Sequence, residues 1–102
     1  MYIVLELAEI GDMFEVVANS GAFSEPLARY YFKKFLEGLR YCHSQGVIHR
    51  DIKIENALLD ANYEIKINDF GFAAPSTARD GSGVHKTKLG TEVNMSPELL
   101  AK

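Results

Sequence analysis

The spacing of apolar positions changes along the chain, and each spacing predicts a different element. Residues 2–5, Tyr-Ile-Val-Leu, form a continuous apolar run, expected as a short buried strand. Glu6-Leu7-Ala8-Glu9-Ile10-Gly11 has no period and reads as an extended connector. Asp12 can cap a short helix over 13–18, which Asn19-Ser20-Gly21 would end. The strongest signal opens at Ser24-Glu25-Pro26, with a capping hydroxyl and a proline in the first turn. Ala28, Tyr31, Phe32, Phe35, Leu36, Leu39 and Cys42 then recur at helical spacing and make one apolar stripe, stopped by Gly46.

Beyond Gly46 the elements shorten. Val47-Ile48 is a minimal strand. Residues 57–60 and 64–67 predict two strands joined by Ala61-Asn62-Tyr63 as a hairpin. Residues 73–83 are rich in Ser, Thr, Asp, Gly and Pro and are expected as a mobile loop. Ser96-Pro97-Glu98-Leu99-Leu100 reads as the beginning of a helix. The long helix is apolar over a wide face, yet few later elements are long enough to cover it. The pattern therefore predicts a half-built core, as in a piece of a larger domain.

Composition narrows the classes. The 102 residues fit one domain at most, and 47% hydrophobic with 25% charged residues is ordinary for a soluble globular segment. A net charge of −3 with no long run of like charges gives no sign of a nucleic-acid partner. The apolar runs are far shorter than a membrane span, and the first residues lack the basic-then-apolar pattern of a signal peptide. A single cysteine, Cys42, cannot form an internal disulfide; its place on the helical stripe makes it a core residue. A cytoplasmic or nuclear location is the resulting expectation.

Two strings carry candidate chemistry: His49-Arg50-Asp51-Ile52-Lys53-Ile54-Glu55-Asn56, and Asp69-Phe70-Gly71 thirteen residues beyond Asn56. Phosphoryl transfer needs an acceptor to hold the nucleophilic hydroxyl and cations to meet the developing charge. Asp51 suits the first role and Lys53 the second, while Asn56 and Asp69 offer the oxygen ligands magnesium prefers. Gly71 allows a sharp backbone turn. Each residue alone has a plainer reading: a cap for Asp51 or Asp69, a turn for Asn56, a surface charge for Lys53. Their order and spacing favour the chemical one. His49 is expected as a packed structural histidine, His43 and His85 as chemically silent, and Tyr31, Phe32 and Phe35 as core.

In order and spacing these strings resemble a eukaryotic protein kinase across essentially all 102 residues, with Ser96-Pro97-Glu98 where the family has Ala-Pro-Glu. The resemblance implies an α+β, protein-kinase-like fold. Residues 1–11 would be the end of an N-lobe strand and the hinge, and residues 12–102 part of the mainly helical C-lobe. It implies ATP and Mg2+ as cofactors and a protein substrate. Asp51 would orient the substrate hydroxyl and accept its proton, and Lys53 would contact the γ-phosphate. Asn56 and Asp69 would bind magnesium. Leu5 would be the gatekeeper, the Glu6 carbonyl and Ala8 backbone would bond the adenine edge, and Leu58 would form its floor. Lys53, with Thr91 following Gly90, resembles serine/threonine rather than tyrosine kinases. The wording of the long helix and of Lys86-Thr87 is nearest the calcium/calmodulin-dependent and AMP-activated group.

The same resemblance makes Thr87 a regulatory phosphosite paired with Arg50, acted on by an upstream kinase. It makes Asp12, Glu55 and Thr91 substrate contacts, the first two for basic residues ahead of the phosphorylated position. Departures are Ile54 for the usual proline, Asn94 for tyrosine and Ile10 for a common glycine. The family's glycine-rich loop and ATP-anchoring lysine do not occur in these residues. The expectation is therefore part of a serine/threonine kinase, inactive in isolation. The alternative is a non-catalytic kinase-derived fragment serving as a binding or scaffold module.

Overall fold

The computed structural model describes residues 1–77 and 81–101. Asp12 closes a two-residue strand, β1 (Gly11–Asp12), and caps the helix after it, α1 (Met13–Ser20), its Oδ1 accepting the Glu15 N–H at 2.9 Å. Ser24 starts α2 (Glu25–Ser44), its Oγ accepting the Leu27 N–H, with Pro26 in the first turn. Gly46, at φ 74°, releases the chain from α2 into β2 (Val47–Ile48). A 3-10 turn (Ile54–Asn56), which the spacing did not predict, leads into β3 (Ala57–Leu59).

β3 pairs antiparallel with β4 (Ile65–Ile67), as the hairpin pattern predicts, and β1 adds on its other edge. The Asp60 carboxylate closes the hairpin by accepting the N–H groups of Asn62 (2.8 Å) and Glu64 (3.0 Å). The expected loop over 73–83 contains a strand instead at its start: β5 (Ala74–Pro75) pairs antiparallel with β2. The Ser76 N–H extends that ladder to the Gly46 carbonyl at 2.8 Å. Ala78, Arg79 and Asp80 of that loop lie outside the described residues. A second 3-10 turn (Glu92–Asn94) precedes α3 (Pro97–Leu100), the expected beginning of a helix.

Residues 2–5 are not a strand. Tyr2 is 97% and Val4 93% exposed, and none of the described strands lies beside them. A strand is stabilised by a neighbour's ladder bonds, and an apolar run alone cannot supply them. Backbone pairing of this end begins only where the Ile10 N–H meets the Leu59 carbonyl at 3.0 Å.

The core is as incomplete as the pattern predicts. Among the described residues Met13, Ala57 and Leu59 are the buried apolar ones, flanked by the half-buried Val16, Val17, Phe23, Tyr31, Phe35 and Ile65. No described residue of α2 is fully buried, and Phe32 and Leu36 of its stripe are exposed. What remains between α1, α2 and the segment after Asp51 is an open apolar groove of about 570 Å³, lined by Val17, Phe23, Phe32, Phe35, Ile52 and Ile54 among others. Gly38 brings α2 close to β4: a Cβ there would lie 2.7 Å from Ile67 Cδ1. Among the described residues no helix is long and apolar enough to cross a membrane.

Candidate active site

β2 delivers His49, Arg50 and Asp51 into the interior. His49 is buried, and its Nδ1 accepts the Asp51 N–H at 3.1 Å. The ring proton therefore sits on Nε2, which donates to the Asn68 carbonyl at 2.8 Å. Phe70 packs edge-on against the ring at 4.9 Å. His49 is structural, as expected, and it ties the Asp51 loop to the strand end that carries Asp69.

Arg50 adopts the left-handed conformation at φ 70°, a state that costs about 1–3 kcal/mol for a residue with a side chain. Its Nε offsets part of that by donating to the Phe72 carbonyl at 2.6 Å. The result turns Asp51 back toward Lys53 and Thr91.

Asp51 is the hub. Its carboxylate is buried, with Oδ1 accepting the Thr91 hydroxyl at 3.1 Å and Oδ2 lying 3.5 Å from Lys53 Nζ. Lys53 Nζ also donates to Thr91 Oγ1 at 2.8 Å, which leaves the threonine proton for Asp51. Asn56 Nδ2 donates to the Asp51 carbonyl at 2.9 Å and approaches Oδ2 at 3.5 Å. Burial pushes the Asp51 carboxyl up, but the Thr91 hydroxyl and the Lys53 charge outweigh it. They hold the group below the usual carboxylate range. Asp51 is thus an ionised acceptor at neutral pH.

Thr91 can reach this hub because Gly90 precedes it. Gly90 stands at φ 111°, and a Cβ there would sit 3.0 Å from the Arg50 carbonyl.

Asn56 is buried at the end of its 3-10 turn. Its amide nitrogen is engaged by Asp51, so Oδ1 is the atom it offers a hard cation. The Asn68 N–H donates to the Asn56 carbonyl at 2.8 Å, which brings Asp69 beside Asn56 across the ends of β3 and β4. Asp69 is exposed, at φ 60°, and its Oδ1 accepts the Gly71 N–H at 3.1 Å. Among the described residues no group of three His, Cys, Asp or Glu side chains could cage a metal. Two oxygen donors on neighbouring strand ends fit magnesium, which keeps water and phosphate ligands of its own.

The expected nucleotide residues are only partly gathered. Asp12, Leu58 and Lys66 stand opposite one another across β1, β3 and β4, so their side chains share one face, while Leu59 points into the core from the other. Lys66 Nζ meets Glu6 Oε1 at 3.2 Å on that outer face, beside Leu58. Gly11 N–H takes the Ala8 carbonyl at 3.2 Å, leaving the Ala8 N–H as the donor on that edge. Leu5 is 75% exposed, and no described contact joins it to Leu58.

Of the remaining candidates, Glu55 is exposed on the 3-10 turn, and Asp12 already spends Oδ1 on its helix cap. Thr87 is exposed, and no described contact brings it to Arg50. Two contributors escaped the sequence reading. The Asn68 carbonyl acts through the backbone, which leaves no side-chain signature. The steric role of Gly90 was signalled only by the glycine itself, and the expectation for Thr91 did not include its bonds to Asp51 and Lys53.

The family model described as protein kinase domain matches residues 1–102. CBL-interacting protein kinase 26 of Oryza sativa subsp. japonica is 44% identical over 102 residues, which is 100% of this chain and 20% of that protein. CBL-interacting serine/threonine-protein kinase 9 of Arabidopsis thaliana is 44% identical over 101 residues, 99% of this chain and 23% of that protein. The chain thus spans about a fifth of the length of these relatives. A match over every residue agrees with the geometry built around Asp51: the chain belongs to the protein kinase domain family.

Proposed function

We propose that the protein carrying this chain transfers the γ-phosphoryl group of ATP to serine or threonine hydroxyls of protein substrates. The observation that supports this best is the buried, ionised Asp51, bonded to Thr91 at 3.1 Å with Lys53 beside both. Bound ATP with magnesium supplies the phosphoryl donor and the charge neutralisation. The chain's own residues position and hold protons. Asp51 orients the acceptor hydroxyl and takes its proton. Lys53 places a positive charge next to Asp51, where the transferred group would arrive. Asn56 Oδ1 and the Asp69 carboxylate would hold the magnesium. Leu58 would floor the adenine, the Glu6 carbonyl and Ala8 N–H would bond its edge, and Leu5 would lie behind it. Thr91, already on Asp51, would line the path of the incoming hydroxyl.

Within these residues the nucleotide site lacks a glycine-rich loop and an anchoring lysine, so the isolated chain is not expected to catalyse. Regulation would act through Thr87. A phosphate there adds about −1.5 to −2 charge. Arg50, held at Nε by the Phe72 carbonyl, keeps its terminal nitrogens for that phosphate. Glu55, exposed beside the site, would favour basic residues ahead of the acceptor, with Asp12 as a second carboxylate.

A peptide library incubated with the complete gene product, ATP and magnesium tests the reading. Labelled serine and threonine peptides, enriched in Arg or Lys before the acceptor, are the expected result. Label confined to tyrosine, or absent from every peptide, would overturn it. Unchanged activity of Thr87→Ala would remove the regulatory part alone.

A further inference from the structure

Residues 1–7 are almost unattached. Met1, Tyr2, Ile3, Val4, Leu5 and Leu7 are each at least 74% exposed. Among the described residues their one described polar contact is Glu6 Oε1 with Lys66 Nζ at 3.2 Å. Lys66 is no bystander in position. It stands opposite Leu58 in the β3–β4 register, on the outer face of the sheet. The ion pair therefore lays the connector over the face that carries Leu58, a short way along the backbone from Ala8. We propose that Lys66 is a positioning residue for nucleotide binding. By holding the Glu6 side chain it fixes the connector whose Glu6 carbonyl and Ala8 N–H would meet the adenine edge, opposite the Leu58 floor.

The proposal rests on the kinase reading above and goes one step further. The physical case is preorganisation: a connector already held in place loses less conformational freedom when the nucleotide arrives. Both side chains of the pair are partly exposed, at 44% for Lys66 and 72% for Glu6, so the effect is modest. An exposed pair of this kind corresponds to a change in affinity of up to about fivefold. Because Lys66 is not placed at the reacting atoms, its loss should act on nucleotide affinity and leave the chemical step alone.

The test uses the complete gene product with Lys66→Glu, Glu6→Lys and the double exchange. KM for ATP and kcat are measured for each. Lys66→Glu should raise KM for ATP by about two- to fivefold with kcat unchanged, Glu6→Lys should raise KM for ATP as well, and the double exchange should restore KM. Single variants that match wild type would overturn the proposal, as would a loss in kcat alone or a double exchange no better than the singles. An Asp51→Asn control separates two kinds of failure. If it keeps full activity, the kinase reading beneath the proposal falls. If it is inert while the Lys66 variants behave as wild type, only the Lys66 role falls.

Discussion

Opposed forces meet at the Asp51 carboxylate: burial favours its neutral form, and Thr91 with Lys53 favours the charged one more. The sign sets the pH response. A carboxyl held below its usual range contributes stability above that range and loses it as pH falls through the lowered value. Thr91→Val keeps the shape but removes the hydroxyl that Asp51 accepts and Lys53 donates to. We expect the Asp51 titration to move upward in this variant, so that acid destabilisation begins at a higher pH than in wild type. Melting temperature measured across the acid range checks this, and superimposable profiles would argue against it. Ile54 gives a second residue-scale expectation. Lys53 before it is fully extended (φ −159°, ψ 161°), the backbone a following proline demands, and Ile54 opens a 3-10 turn where no N–H is required. Ile54→Pro should therefore be tolerated and stabilise by about 0.4–1 kcal/mol through the unfolded chain. A fall in melting temperature would show that the exposed isoleucine contributes more than its place suggests.

Elements form here where local signals suffice and shift where a distant partner decides. Asp12 and Ser24 cap their helices, Gly46 ends α2 and Asp60 closes the hairpin, all through contacts a few residues long. The two caps and the Gly46 stop were legible in the sequence, whereas Asp60, expected as the last residue of its strand, closes the turn instead. The β2–β5 pairing joins segments far apart in the chain, and nothing in Ala74-Pro75 announces it. Residues 2–5 fail in the opposite sense: their strand pattern is clear, but the described residues supply no neighbour. The site divides the same way. Asp51, Lys53, Asn56 and Asp69 stand out as ordered side chains, whereas the Asn68 carbonyl and the Glu6–Lys66 pair depend on register. The segment bearing Thr91 also depends on close approach at Gly90. Gly90→Ala forces a side chain into φ 111° and against the Arg50 carbonyl. It should cost about 1–3 kcal/mol and draw Thr91 away from Asp51. Catalytic rate should fall more than ATP affinity, and equal losses in both would point to general unfolding instead.

At the scale of the whole molecule, the apolar surface exceeds what the described fold covers. Among the described residues three apolar side chains are buried, and the groove beside α2 remains open. The isolated chain should therefore keep helical far-UV dichroism, bind a hydrophobic dye and melt over a broad range. A sharp, dye-free transition would mean that these residues pack better alone than their exposure indicates. The charged site is more complete than the core around it, since Lys53, Asn56 and Thr91 each already contact Asp51. That contrast is the reason to place function in the complete gene product. The most direct measurement is γ-phosphate transfer from ATP and magnesium to a basic serine peptide, comparing that product with its Asp51→Asn variant. Removing the carboxylate proposed as the proton acceptor should lower kcat by about 100- to 10,000-fold while ATP binding persists. Equal rates from the two proteins would contradict the role assigned to Asp51, and with it the reading of this chain as catalytic.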